Sequence, residues 1–185
     1  MVEKFRWASI MITIHKDDVM IFDGLGFIPM IKEDISMLTP IMKRSFDDDS
    51  RLFFPNPVGG PDGYDDGSFL EKWGLNPNAT SYCINLNGKP IGAIILFIDN
   101  EHKEGYLGNI FIDSELIGNG YGYIAWRFVE HTYPQIKVWN TETPAVSYRN
   151  HRFYINKCGF HVVAVDGGMD RYEAQFKLKK VMPEK

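Results

Sequence analysis

The chain has 185 residues, 44% of them hydrophobic and 14% aromatic, with a formal charge of -4. That length suits one domain with a single sizeable core, and the acidic balance offers no basic footprint for nucleic acid. Two cysteines, Cys83 and Cys158, are too few and too far apart for a disulfide scaffold or a zinc site, so reduced thiols in a cytoplasmic protein are expected.

Residues 1–25 read as an N-terminal extension ahead of a single domain over residues 26–180. The apolar start is too short to span a membrane, and it lacks a small-residue cleavage site, so no signal peptide is expected. Residues 10–22 run apolar, charged, apolar, which predicts a β-hairpin. Gly24 and Gly26 then break the pattern, and residues 27–31 predict a strand.

Ile35, Leu38, Met42 and Phe46 form an apolar stripe at helical spacing over residues 33–46. Pro40 either kinks this helix or starts a new one behind Thr39. Residues 47–61 are dense in Asp, Pro and Gly and predict a loop. Ser68 and Glu71 have capping-box spacing, and Gly74 ends the short helix they open.

Strands follow. Residues 81–86 and 90–98 flank Asn87-Gly88, a hairpin turn signal, and residues 106–112 predict a third strand after another turn. The pattern then changes. Residues 113–120 predict a loop feeding a helix over 120–133, with Ile124, Phe128, Val129 and Thr132 on one face, and Pro134 stops it. A strand at 136–140, a helix at 147–159 and a strand pair at 160–165 and 172–178 complete the chain. The order of elements predicts an α+β, mixed-sheet protein.

One loop carries chemistry. Ile117-Gly118-Asn119-Gly120-Tyr121-Gly122 follows a strand and opens a helix. Glycines allow a sharp turn and close approach of a ligand, and the first amides of a helix lack internal partners beside the positive end of the dipole. Together these suit a pyrophosphate. The P-loop ending Gly-Lys-Ser/Thr is absent. A dinucleotide site stays open, because Glu142 lies about 20 residues downstream, as a ribose-binding acid would; the antiparallel strands upstream argue against it. The five histidines, His15, His102, His131, His151 and His161, show no metal spacing, and no nucleophilic serine motif accompanies them, so neither a metal nor hydrolase chemistry is expected.

A second segment, Phe153-Tyr154-Ile155-Asn156-Lys157-Cys158-Gly159-Phe160, ends the last helix and starts a strand. The two segments together resemble the GNAT superfamily of N-acetyltransferases. That family's loop, Gln/Arg-x-x-Gly-x-Gly/Ala, is matched by Ile117, Gly120 and Gly122, with Ile117 departing from the polar first position. Its Tyr-x-x-Lys-x-Gly-Phe pattern is matched from Tyr154 to Phe160. The resemblance implies an acyl-CoA N-acyltransferase fold: a mostly antiparallel sheet whose parallel central strands splay apart, flanked by helices.

It also implies direct acetyl transfer from acetyl-CoA, as co-substrate, to the amine of a small molecule or peptide. The pantetheine arm would lie along Ile110, Phe111 and Ile112. The pyrophosphate would sit on Ile117, Gly118, Asn119, Gly120, Tyr121 and Gly122. Ser147 or Asn150 would touch the arm, and Tyr154 would act as acid toward the departing thiolate. Glu142 is the preferred base, over Asp99 and Glu104. A non-catalytic acyl-CoA sensor of the same fold is the alternative.

The acceptor wall implied by the resemblance spans residues 33–80. It holds Asp47-Asp48-Asp49, Asp62, Asp65 and Asp66 beside Phe53, Phe54, Tyr64, Phe69 and Trp73, groups able to attract and stack on an amine cation. The turn-rich run 56–67 reads as a lid or a disordered loop. No membrane or nucleic-acid partner is expected, and the N-terminal extension leaves room for a homodimer contact.

Overall fold

Tight turns set the register of the sheet. Asn87 and Gly88 both take positive φ (51° and 78°), the conformation that reverses a chain in two residues. A computed structural model describes residues 19–183. Its strands are β1 (Met20–Phe22), β2 (Leu25–Pro29), β3 (Ala79–Leu86), β4 (Lys89–Asp99), β5 (Glu104–Ile112), β6 (Val138–Pro144), β7 (His161–Asp166) and β8 (Gln175–Val181). They form one sheet in the order β1-β2-β3-β4-β5-β6-β8-β7. Every neighbouring pair is antiparallel except β5 and β6, which run parallel.

The sheet is a middle layer. Helix α1 (Ile35–Phe53) packs on one face through Leu38, Ile41 and Met42, against Ala93 and Ile95. Helix α2 (Tyr121–Thr132) packs on the other through Trp126, Phe128 and Val129, against Phe27, Ile94 and Leu96. Strand β4 thus alternates between two cores and reads as an unbroken apolar run rather than an in–out pattern. Helix α3 (Tyr148–His151) continues as a π-helical turn, Arg152–Lys157.

Several sequence expectations need correcting. The expected hairpin over 10–22 lies mostly outside the described residues, and within them β1 pairs instead with β2, around Asp23-Gly24. Strand β2 spans Leu25–Pro29, two residues ahead of the strand expected at 27–31, and β1 adds an edge strand to the sheet.

Helix α1 runs seven residues past Phe46, through the segment expected to be loop. Three consecutive aspartates would repel one another in a helix, but each finds partners. Asp47 pairs with Lys43 and accepts the Tyr64 hydroxyl at 2.7 Å; Asp48 pairs with Arg51 and Arg149; Asp49 accepts from Ser147 and Arg149. The loop after α1 is pinned to it, with the Gly59 amide donating to Asp47 and the Ser50 hydroxyl to the Gly59 carbonyl.

Strand β6 continues through Thr141, Glu142 and Thr143 to Pro144. Its polar residues disguise a strand whose Thr141 and Thr143 are buried.

Gly92 is fixed by the β4–β5 contact: a Cβ there would lie 2.0 Å from the Phe111 carbonyl oxygen. Gly92→Ala must push β5 away, and we expect a loss of about 1–3 kcal/mol in a urea melt.

Candidate active site

Strands β5 and β6 pair at only three positions, Glu104 with Val138, Gly105 with Trp139 and Tyr106 with Asn140. Both then continue without touching. β5 stays bonded to β4 as far as Ile112, and β6 stays bonded to β8 as far as Pro144. The parting begins where the Thr141 hydroxyl, rather than a backbone amide, donates to the Leu107 carbonyl at 2.8 Å.

A bulge lies at the same level. Ile95 opposes Asn109 and Leu96 opposes Leu107, which leaves Gly108 as the extra residue. Bulges bend and twist the strand that carries them, and this one turns β5 away from β6.

The gap opens into a cavity of about 680 Å³. Strand β5 contributes Asn109, Ile110, Phe111 and Ile112; β6 contributes Thr141, Glu142 and Thr143. The side-chain oxygens of Asn109 and Thr143 have no hydrogen-bond partner among the described residues, and Thr143 is 2% exposed. Buried orphan acceptors of this kind call for a ligand or water.

The glycine loop forms one end of the cavity. Gly118 and Gly120 have φ of 94° and 85°, and a Cβ at either would meet no atom within 4 Å. Their space is therefore open rather than filled by packing. The amides of Gly118, Gly120, Tyr121 and Gly122 take no acceptor among the described residues. Ile117 lines the cavity with an aliphatic side chain, while Asn119 folds its amide back onto the Leu116 carbonyl at 3.0 Å. Lys157, the lysine of the Tyr154–Phe160 pattern, and Arg152, which sequence reasoning did not single out, bring positive charge to the same cavity.

Another wall comes from the last helix, whose Phe153 ring would lie 3.3 Å from a Cβ on Gly122. Tyr154 is 8% exposed and faces the cavity. Burial, with smaller contributions from Cys158, Tyr106 and Asp49, raises its pKa well above that of an ordinary phenol. The Tyr154 hydroxyl is therefore protonated throughout the working range, a donor rather than a base.

The structure separates the two candidates for touching the arm. Asn150 lines the cavity, whereas Ser147 is fully buried and donates its hydroxyl to Asp49 at 3.0 Å, so its side chain is already committed.

The carboxylates separate too. Glu142 lines the cavity but is ion-paired with Lys177. Asp99 accepts from the backbone and ring of His102 in the β4–β5 turn, and neither it nor Glu104 lines the cavity. Of the expected acceptor wall, Asp49 and Phe53 reach the cavity. Asp62, Asp65, Asp66, Phe54, Tyr64, Phe69 and Trp73 do not line it.

A sheet parted at a parallel pair, with a glycine loop and a tyrosine-bearing helix both lining the gap, defines an acyl-CoA transferase type of fold. The chain belongs to the acetyltransferase (GNAT) family, whose sequence model matches residues 43–160. Among similar solved structures are an acetyltransferase from Thermus thermophilus (17% identity, 88% of this chain and 100% of that one, TM-score 0.65) and a PaiA N-acetyltransferase from Thermoplasma acidophilum in complex with coenzyme A (15% identity, 85% and 99%, TM-score 0.67). These share the fold. A curated relative, the uncharacterized protein YrkN of Bacillus subtilis (strain 168), is 37% identical over 87 residues, and the match spans about half of each chain. The dinucleotide reading falls, since β1 to β5 form an antiparallel run with no parallel βαβ repeat.

The loop is held from outside by an ion pair. Asp113, which caps the turn Ser114–Leu116, receives Arg44 of α1 through two bonds, one of them 3.1 Å from Nε. The Arg44 hydrogen bond is the main cause that holds the Asp113 carboxyl below its ordinary range. A depressed carboxylate stabilises the fold above its unfolded pKa, near ~3.9, and the contribution disappears as pH falls through the lower folded value. Arg44→Met should thus be less stable than the parent by about 1 kcal/mol at neutral pH, and the two should converge below about pH 4; paired thermal melts across pH check this.

Proposed function

We propose that this protein is an acetyl-CoA-dependent N-acetyltransferase that moves the acetyl group directly to an amine. The observation that carries this reading is that one continuous cavity is lined by both Gly118–Gly122 loop residues and Tyr154, with the β5–β6 gap between them. Coenzyme A is a diphosphate joined to a long arm ending in sulfur. The open amides of Gly118, Gly120, Tyr121 and Gly122 suit the diphosphate, and Lys157 and Arg152 supply charge that Ile117 cannot. The unpaired flank of β5 suits the amide groups of the arm, with the Asn109 carbonyl as a further acceptor.

The acetyl thioester supplies an activated carbonyl. An amine attacks the carbon, the oxygen gathers negative charge, and a backbone amide of Asn109–Phe111 would stabilise it. As the C–S bond breaks, Tyr154 donates to the sulfur. A phenol raised above ~10 is a weaker acid than a thiol near ~8.5, so full proton transfer is uphill. Tyr154 acts mainly through a hydrogen bond to the developing thiolate. Intact Tyr154 in this place favours the enzyme over a non-catalytic sensor.

Two measurements test the reading. Coenzyme A should raise the melting temperature and nicotinamide dinucleotides should not. Thiol release from acetyl-CoA should appear with one or more members of an amine panel, and Tyr154→Phe should lower kcat by about 100-fold with the KM for acetyl-CoA changed less than about threefold. Coenzyme A binding without thiol release from any amine points to the sensor instead. Because the pKa of Tyr154 lies high, the variant should keep the parent's alkaline pH profile.

A further inference from the structure

Resting on that reading, the next question is what receives the amine. Asp49 sits in the last third of α1, with its side chain 14% exposed and facing the cavity. Its two described partners, the Ser147 hydroxyl at 3.0 Å and an Arg149 guanidinium nitrogen at 3.1 Å, both reach the same oxygen, Oδ1. The other oxygen, Oδ2, has no partner among the described residues. Arg149 is also divided, because it bonds Asp48 as well. One guanidinium thus serves two carboxylates.

The second observation is independent. Thr143, on β6, lines the same cavity and is 2% exposed, and its hydroxyl has no partner among the described residues. A buried hydroxyl left unsatisfied by the fold costs stability unless something else bonds it. Other walls of the cavity are aromatic: Phe53 of α1 meets Tyr148 of α3 edge-on at 6.0 Å between ring centres, and Phe46 lies two turns earlier on α1.

We propose that Asp49 binds the acceptor's ammonium group through Oδ2 and takes its proton, with the Thr143 hydroxyl as a second partner, and that the acceptor is a primary amine, cationic in solution, whose apolar flank lies against Phe53 and Tyr148. Glu142 lines the cavity as well, but it is ion-paired with Lys177 and its side chain is 42% exposed, against 14% for Asp49.

The groups around Asp49 are consistent with this role. Asp48 lies beside it on α1; Arg149 faces it from α3, and Tyr154 from the π-helical turn; Glu142, Arg152 and Lys157 line the rest of the cavity. Burial is the largest influence on Asp49 and raises its pKa despite Arg149, which makes it a better base than a surface carboxylate.

The step balances. The ammonium gives one proton to Asp49, and the free amine forms a C–N bond to the acetyl carbon. The C–S bond breaks, the second nitrogen proton passes to the sulfur, and Asp49 returns its proton to solvent. The products are an amide, coenzyme A thiol and one released proton.

Calorimetry with 2-phenylethylamine, its neutral counterpart 2-phenylethanol and coenzyme A tests the binding role. The parent should bind the amine and not the alcohol. Asp49→Asn should weaken the amine by about tenfold or more, and Thr143→Val by about three- to tenfold, while coenzyme A affinity stays within about twofold.

Turnover tests the proton transfer. Asp49→Asn should slow acetylation of 2-phenylethylamine by about 100-fold. Hydroxylamine, already uncharged near neutral pH, should lose less than about threefold.

Equal binding of amine and alcohol, an Asp49→Asn variant with parental amine affinity, or equal loss of amine and coenzyme A in that variant each overturns the inference. If Asp49→Asn does not fold, Thr143→Val still decides, because it removes an orphan hydroxyl and breaks no bond; unchanged amine affinity there overturns it. A parent that fails to bind coenzyme A removes the transferase reading instead.

Discussion

The parting of β5 from β6 is the constraint on which the rest of this molecule depends. Each strand is held along its whole length by its outer neighbour, β5 by β4 and β6 by β8, so neither can swing across to close the gap. The extra residue at Gly108 adds twist at the level where pairing stops. What remains is a cleft inside a continuous sheet. Its two edges carry backbone groups that no strand satisfies, and unpaired backbone in a buried place is tolerated only where a ligand or water can take over.

Everything chemical is arranged around that cleft by neighbouring elements. The glycine loop follows β5 directly, so the open amides at the start of α2 lie at one end of the gap. The turn after β6 leads into α3 and the π-helical segment, which delivers Tyr154, Asn150, Arg152 and Lys157 to the same space. Helix α1 forms the third side and is fixed by charge. Arg44 ties it to Asp113 below the loop, and Asp48 and Asp49 tie it to Arg149 and Ser147. The aspartates of α1 thus hold the helix against the rest of the site, and one of them, Asp49, also lines the cavity.

The cavity lining mixes charges: the loop amides, Lys157, Arg152 and Arg149 favour an anion, while Asp49 and Glu142 favour a cation. The net charge of -4 does not predict this mixture, because it is the positions of a few side chains that matter.

Much of this was legible in the chain. The hairpin at Asn87-Gly88, the helix stop at Pro134, the positions of β3, β4, β5 and α2, the mixed-sheet class and the glycine loop all follow from local rules: positive φ at Asn and Gly, the missing amide of proline, and apolar spacing of two or three to four residues. The pairing of loop and tyrosine motifs pointed to the family. Local rules failed where distant residues decided the outcome. Asp47 to Asp49 read as loop because nothing nearby in sequence reveals Arg149, Ser147 or Tyr64 as their partners. Thr141 to Pro144 read as the end of a strand because their burial comes from β8 and the last helix. Ser147 and Asn150 were equivalent in sequence, and only the fold buried one and left the other in the cavity. By itself, then, the sequence determined the elements, their order and the anion-binding loop, since each rests on dihedral preference and spacing within a few residues. The tertiary structure decided which carboxylates reach the cleft and which polar groups are left unpaired beside it, since those depend on contacts between residues up to about a hundred positions apart, such as Asp49 and Ser147.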